Sequence, residues 1–140
     1  MSNTTARDMG IYALLDWNIY REPPEKNQGL SVFLRVGLAD NDASRFNFYG
    51  GTGLVYKGLL PGRDQDQIGL ALAIARNSDF IELKRTEQLD DAETVLEFTY
   101  RTQFTPWLAF QPDIQYVINP GTRTDLQNTF VFGARFEMNL

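Results

Sequence analysis

The last eleven residues of the chain read Phe130-Val131-Phe132-Gly133-Ala134-Arg135-Phe136-Glu137-Met138-Asn139-Leu140. Even positions are apolar or aromatic throughout: Phe130, Phe132, Ala134, Phe136, Met138 and Leu140. Odd positions after Val131 are small, polar or charged: Gly133, Arg135, Glu137 and Asn139. A period of two sends alternate side chains to opposite faces of a strand, and no helix reproduces it. The stretch predicts a strand with one apolar face.

Working outward from that end, the same alternation recurs in six more segments. Residues 108–119 set Leu108, Phe110, Pro112, Ile114, Tyr116 and Ile118 against Ala109, Gln111, Asp113, Gln115, Val117 and Asn119. Residues 93–104 set Thr94, Leu96, Phe98, Tyr100, Thr102 and Phe104 against Glu93, Val95, Glu97, Thr99, Arg101 and Gln103. In 67–77, Ile68, Leu70, Leu72 and Ile74 oppose Gly69, Ala71, Ala73 and Ala75; the alanines also suit a short helix, but the alternation and flanking turn residues favour a strand. Segments 47–57, 29–39 and 9–21 complete the set, the last with Tyr20 on the polar side.

Seven strands thus follow one another with no helix between them. Each runs for about 11 residues, against about 5–6 for strands of soluble proteins. A tilted strand of about 9–11 residues spans the hydrocarbon core of a bilayer. The length therefore predicts transmembrane strands, an antiparallel meander forming part of an outer-membrane barrel. No run of apolar residues is long enough for a spanning helix, as a strand-built membrane protein requires none.

Composition narrows the chemistry. Thirteen basic and 18 acidic residues give a net charge of −5, and the basic ones are scattered, which argues against a nucleic-acid surface. Cysteine and histidine are both absent, removing thiolate chemistry, the commonest metal ligands and the commonest general base. The carboxylates at Asp90-Asp91 and Glu93/Glu97 invite a glycosidase reading, but nothing in the pattern holds one of them as the acid such a pair needs. The expectation is no catalytic residue, no metal and no cofactor.

The connections alternate in length. Placing the shortest, 105–107, in the periplasm puts 78–92 and 120–128 outside, as outer-membrane barrels have short periplasmic turns. Two aromatic belts then follow on the apolar face: Trp17, Tyr56, Phe104, Phe110 and Phe136 toward the periplasm, and Phe48, Tyr116, Phe130 and Phe132 toward the exterior.

The polar face carries the candidate functional residues. Phe33, Arg35, Tyr49, Glu97, Arg101, Asp113, Gln115 and Arg135 all fall on the parity that would line a water-filled lumen. Charges of both signs suit a neutral polar solute, and the aromatic rings offer a surface for a sugar. An inward charge in a barrel is more often part of a wall-building ladder than a solute contact, and Glu97, Arg101, Asp113 and Arg135 draw such a ladder across three strands. Gly51, Gly53, Gly69 and Ala71 provide clearance on the same face.

Three motifs sharpen this reading. Gly29-Leu30-Ser31-Val32-Phe33-Leu34-Arg35, Tyr56-Lys57-Gly58-Leu59-Leu60-Pro61-Gly62-Arg63-Asp64 with Asp66, and Gln111-Pro112-Asp113-Ile114-Gln115-Tyr116-Val117-Ile118-Asn119-Pro120-Gly121 stand in order, with Glu93, Glu97 and Thr105-Pro106-Trp107 between the last two. Together they resemble the carbohydrate-selective porins of the OprB type from about Gly10 onward. The resemblance implies a barrel of about sixteen strands passing small carbohydrates and other small polar solutes by passive diffusion. It implies outer-membrane lipid, lipopolysaccharide and the remaining barrel strands as partners. It also implies that residues 9–140 are the barrel's C-terminal part and that 1–8 belong to a truncated loop; segment 1–8 itself is polar and carries no apolar core of the signal-peptide kind. The chain departs from the family in ending on Leu140 rather than an aromatic residue. Two other readings are a soluble lipocalin-like barrel, which would turn its apolar face inward, and a small outer-membrane barrel with a structural role.

Overall fold

The computed structural model describes residues 9–23, 27–39, 46–77 and 90–139. The polar segment 1–8 and most of the 78–92 connection lie outside them. Seven strands form one sheet in chain order: β1 (Gly10–Arg21), β2 (Gly29–Ala39), β3 (Phe46–Lys57), β4 (Gln67–Asn77), β5 (Ala92–Thr105), β6 (Leu108–Ile118) and β7 (Thr129–Met138). Every neighbouring pair is antiparallel, so the sheet is a pure meander. The alanine-rich segment is a strand, as its alternation predicts.

Directly paired residues share a face. One row across the sheet reads Leu15–Leu34–Thr52–Leu72–Leu96–Tyr116–Phe130. The row beside it, on the other face, reads Leu14–Arg35–Gly51–Ala73–Val95–Val117–Thr129. The two faces predicted from parity are therefore continuous across all seven strands.

This sheet has no second layer and no interior among the described residues. Among the described residues the only buried hydrophobic side chain is Ala109, whereas Leu70, Phe98, Phe132 and Phe136 are 55%, 46%, 76% and 71% exposed. A water-soluble domain must bury such a face against another element. Among the described residues nothing covers it.

Register shifts interrupt the pairing in three places, all at strand ends: between Asn18 and Tyr20, between Phe46 and Phe48, and between Gln103 and Thr105. The first corrects the parity reading. Ile19 becomes the extra residue of a bulge, Tyr20 pairs with Leu30, and Tyr20 moves to the apolar side. Phe104 stands at the third shift, where alternation no longer assigns it a face. The remaining belt residues keep their places. Phe110 stacks on Phe136 with centroids 4.8 Å apart, and Tyr116 on Phe130 at 4.7 Å, at opposite ends of the same two strands.

Two polar latches hold the ends of the sheet. At the long-loop end, Asn77 donates through Nδ2 to the Asp90 carbonyl at 2.9 Å and to Thr122 Oγ1 at 2.7 Å. Its backbone N–H donates to the Asp91 carbonyl, and Asp90 N–H to the Thr122 carbonyl. Thr122 ends the 3-10 turn Pro120–Thr122, has φ +57° and is 1% exposed. The latch therefore ties the stem of the 78–92 connection to the turn after β6. Asn77→Ala removes hydrogen bonds to the buried Thr122 hydroxyl and the half-buried Asp90 carbonyl, at an expected cost of about 1–3 kcal/mol. The check is amide exchange at Asp90 and Thr122, which should quicken while the β2–β3 amides stay protected.

At the opposite end, Asp66 closes the turn between β3 and β4. It accepts from the Gln103 backbone N–H at 2.9 Å, from Arg63 Nε at 2.6 Å and from the Tyr100 hydroxyl. Arg63 also donates to the Thr102 hydroxyl. Gly58 N–H reaches the Asp66 carbonyl at 2.9 Å, so the turn is closed on itself as well as onto β5. Pro61-Gly62 makes the bend, with Gly62 at φ +77°.

Candidate functional site

All eight candidate residues project from the face opposite the lipophilic rows, as the register requires. They form two groups rather than one. On β2 and β3, the Arg35 guanidinium carbon lies 5.1 Å from the Phe33 ring centroid, a cation–π contact along one strand. The Phe33 ring occupies the space over Gly53: a Cβ there would stand 2.6 Å from two ring carbons and 2.8 Å from the Leu70 carbonyl. Tyr49 likewise lies beside Gly51, its hydroxyl 3.2 Å from where a Cβ would be. The glycines therefore let these rings lie flat along the wall.

The second group spans β5, β6 and β7. Gln115 Nε2 donates to Glu97 Oε2 at 2.7 Å and to Asp113 Oδ2 at 3.3 Å. Arg101 pairs with Glu137 at 3.3 Å and donates to Gln103 Oε1 at 2.8 Å. The ladder drawn from Glu97 through Arg101 and Asp113 to Arg135 is not what forms. A neutral amide joins the two carboxylates instead, and Arg101 turns toward Glu137. Register explains the difference. Glu97 sits directly opposite Gln115, and Asp113 lies two residues along from it on the same side. Arg135 faces Gln111 and has no hydrogen bond or ion pair with a described residue.

The Arg101–Glu137 pair is half open to solvent, with side chains 19% and 45% exposed, so it contributes under about 1 kcal/mol. Between the two groups runs β4, whose Gly69, Ala71, Ala73 and Ala75 leave a smooth strip. The polar face thus offers a guanidinium–aromatic shelf and a hydrogen-bonding carboxylate–amide cluster, separated by small side chains.

The latches were invisible to parity. Arg63 and Asp66 were legible only as parts of a motif, and the i,i+3 spacing around Pro61-Gly62 was the one signal that they bind each other. Burial pushes the Asp66 carboxyl upward, but the Tyr100 hydroxyl, the Gln103 N–H and Arg63 outweigh it and hold its pKa below the ordinary 3.8.

A single-layer meander of long strands, apolar on one face and polar on the other, is the architecture of a transmembrane β-barrel wall. Comparison with known proteins places it further. Residues 2–140 match the profile described as carbohydrate-selective porin, OprB family. The chain belongs to that family.

Porin B of Pseudomonas aeruginosa is 26% identical over 129 residues, covering 81% of this chain and 28% of the relative. Porin AaxA of Chlamydia felis is 31% identical over 107 residues, covering 76% and 23% respectively. The high-pH structure of Pseudomonas putida OprB superposes with a TM-score of 0.82 at 24% identity, over 92% of this chain and 34% of that one. The chain therefore spans about a third or less of the length of the proteins it matches. Family and fold together give no support to a soluble lipocalin-like barrel or a structural barrel.

Proposed function

We propose that these seven strands form part of the wall of an outer-membrane pore that passes small carbohydrates and other small polar solutes down their gradients. The observation that carries the reading is the separation of faces. The continuous apolar rows suit lipid, and Phe33, Arg35, Tyr49, Glu97, Arg101, Asp113, Gln115 and Arg135 share the opposite side, where they would line the lumen. Membership of a carbohydrate-selective porin family supports the solute class.

In this reading β1 and β7, each paired on one side only, continue into further strands of a closed barrel. An open strand edge in lipid leaves backbone N–H and C=O groups with no water to bond, so closure is a physical necessity. The short connection 106–107 faces the periplasm, and lipid and lipopolysaccharide contact the outer rows. Catalysis has no place in this function: selection comes from weak contacts of hydroxyl groups with the guanidinium–aromatic shelf and the carboxylate–amide cluster.

The test is glucose uptake into proteoliposomes holding the assembled pore, alongside Arg35→Glu and Asp113→Lys variants. Wild type should admit glucose, and each reversal should change single-channel conductance or glucose flux by about twofold or more. Unaltered conductance and flux in both variants would remove these residues from the solute path.

A further inference from the structure

The turn end of the sheet holds a cavity of about 730 Å³ between β1, β2 and β3, apart from both groups described above. That volume lies within the range of small-molecule sites, about 300–1,000 Å³. Asn18, Arg21, Gln28, Gly29, Ser31 and Lys57 are among its lining residues.

Three features give it a chemistry. First, Arg21 and Lys57 pair with Gly29 from opposite sides, so two cations flank a position that has no side chain. Neither has a hydrogen bond or ion pair with a described residue. Glu22 also lines the cavity, its Oε1 accepting from the Tyr56 hydroxyl at 2.9 Å, so two cations stand there against one carboxylate. Asp16 lies two residues further along the polar face from Asn18.

Second, Gln28 is 7% exposed and its Nε2 is buried with no hydrogen-bond partner. A buried donor left unpaired is costly, and a turn of the Gln28 side chain toward the cavity it lines would bring that donor to a bound acceptor. Third, Ser31 donates to Asn18 Oδ1 at 2.6 Å, which leaves the Asn18 amide N–H groups for another acceptor. Two cations with no partner among the described residues, a buried unpaired amide and the Asn18 amide line one cavity, with the Glu22 carboxylate at its side.

We infer that this cavity is a subsite for an anionic monosaccharide, a sugar bearing one carboxylate or phosphate. The anion sits between Arg21 and Lys57, and the hydroxyl groups accept from Gln28 and Asn18. Charge-assisted hydrogen bonds from guanidinium and ammonium are about twice as strong as neutral ones, so the charged sugar gains over the neutral one. The inference rests on the sugar-pore reading and extends it to a second class of solute at a second place.

The test compares gluconate, glucose 6-phosphate, glucose and chloride in the assembled pore. In a double variant Arg21→Gln/Lys57→Gln, permeability to the two sugar anions relative to glucose should fall by about fivefold or more, with glucose and chloride within about twofold. Gln28→Leu, which leaves the charge unchanged, should lower sugar-anion flux without affecting chloride. Intact glucose flux with unchanged sugar-anion flux overturns the subsite. So does an equal fall for chloride, which marks a general field rather than a sugar site. A wild-type pore that admits none of the sugars overturns the pore reading along with it.

Discussion

Asp66→Ala should lower the unfolding free energy of the barrel by about 2–4 kcal/mol. The carboxylate is 5% exposed and gathers three donors: the Gln103 N–H, Arg63 and the Tyr100 hydroxyl. Truncation leaves a backbone N–H and a hydroxyl without an acceptor and Arg63 without its counter-ion. Because Arg63 is 43% exposed, water recovers part of its loss, which keeps the estimate below that for a fully buried pair. Asp66→Asn retains an acceptor for Gln103 and should cost about half as much. Guanidinium titration in lipid vesicles, followed by the fluorescence of the two tryptophans, reads both. Equal, negligible shifts for both variants would show that the turn does not depend on this clamp.

The same carboxyl supplies a pH signature. Its folded pKa is depressed, so its contribution is complete above the ordinary value of 3.8 and disappears as pH falls through the lower folded value. Wild type should therefore lose stability on acidification below about pH 4 more steeply than Asp66→Asn. Parallel acid limbs for the two proteins would rule out Asp66 as the titrating group.

Leu72→Arg should destabilise the inserted protein by about 2–4 kcal/mol, whereas Ala73→Arg, one residue along, should cost under about 1 kcal/mol. Leu72 is the central residue of β4, paired with Thr52 and Leu96 in the apolar row. Ala73 is paired with Gly51 and Val95 in the polar row. A guanidinium facing hydrocarbon at mid-depth is poorly solvated; the same group in a lumen keeps its water. The pair therefore measures which face meets lipid, independently of any transport assay. Equal costs, or a larger cost at Ala73, would reverse the assignment of the two faces.

Much of this architecture was legible because it is a local property. Phe130 to Met138 alternate because every second side chain meets the same surroundings, and that regularity needs no knowledge of the neighbouring strand. Short connections then leave an antiparallel meander as the simple topology, and all seven strands pair in chain order. The eight polar-face residues are on one side for the same reason. Tyr20 was misplaced because Ile19 satisfies the alternation whether or not a bulge intervenes, and only pairing with Leu30 reveals the extra residue.

The sequence by itself thus determined the strands, their order and the two faces, since a period of two and a turn between periods are written residue by residue. Tertiary structure alone decided which polar groups meet. Gln115 rather than Arg101 joins Glu97 to Asp113, Thr122 is the partner of Asn77 across 45 residues, and Asp66 closes on Gln103 from 37 residues away. These contacts depend on register to within one residue, and on side-chain reach of a few ångströms, which hydrophobic alternation does not encode. The cationic notch of Arg21 and Lys57 around Gly29 belongs with them: three residues far apart in the chain become neighbours only when β1, β2 and β3 pair.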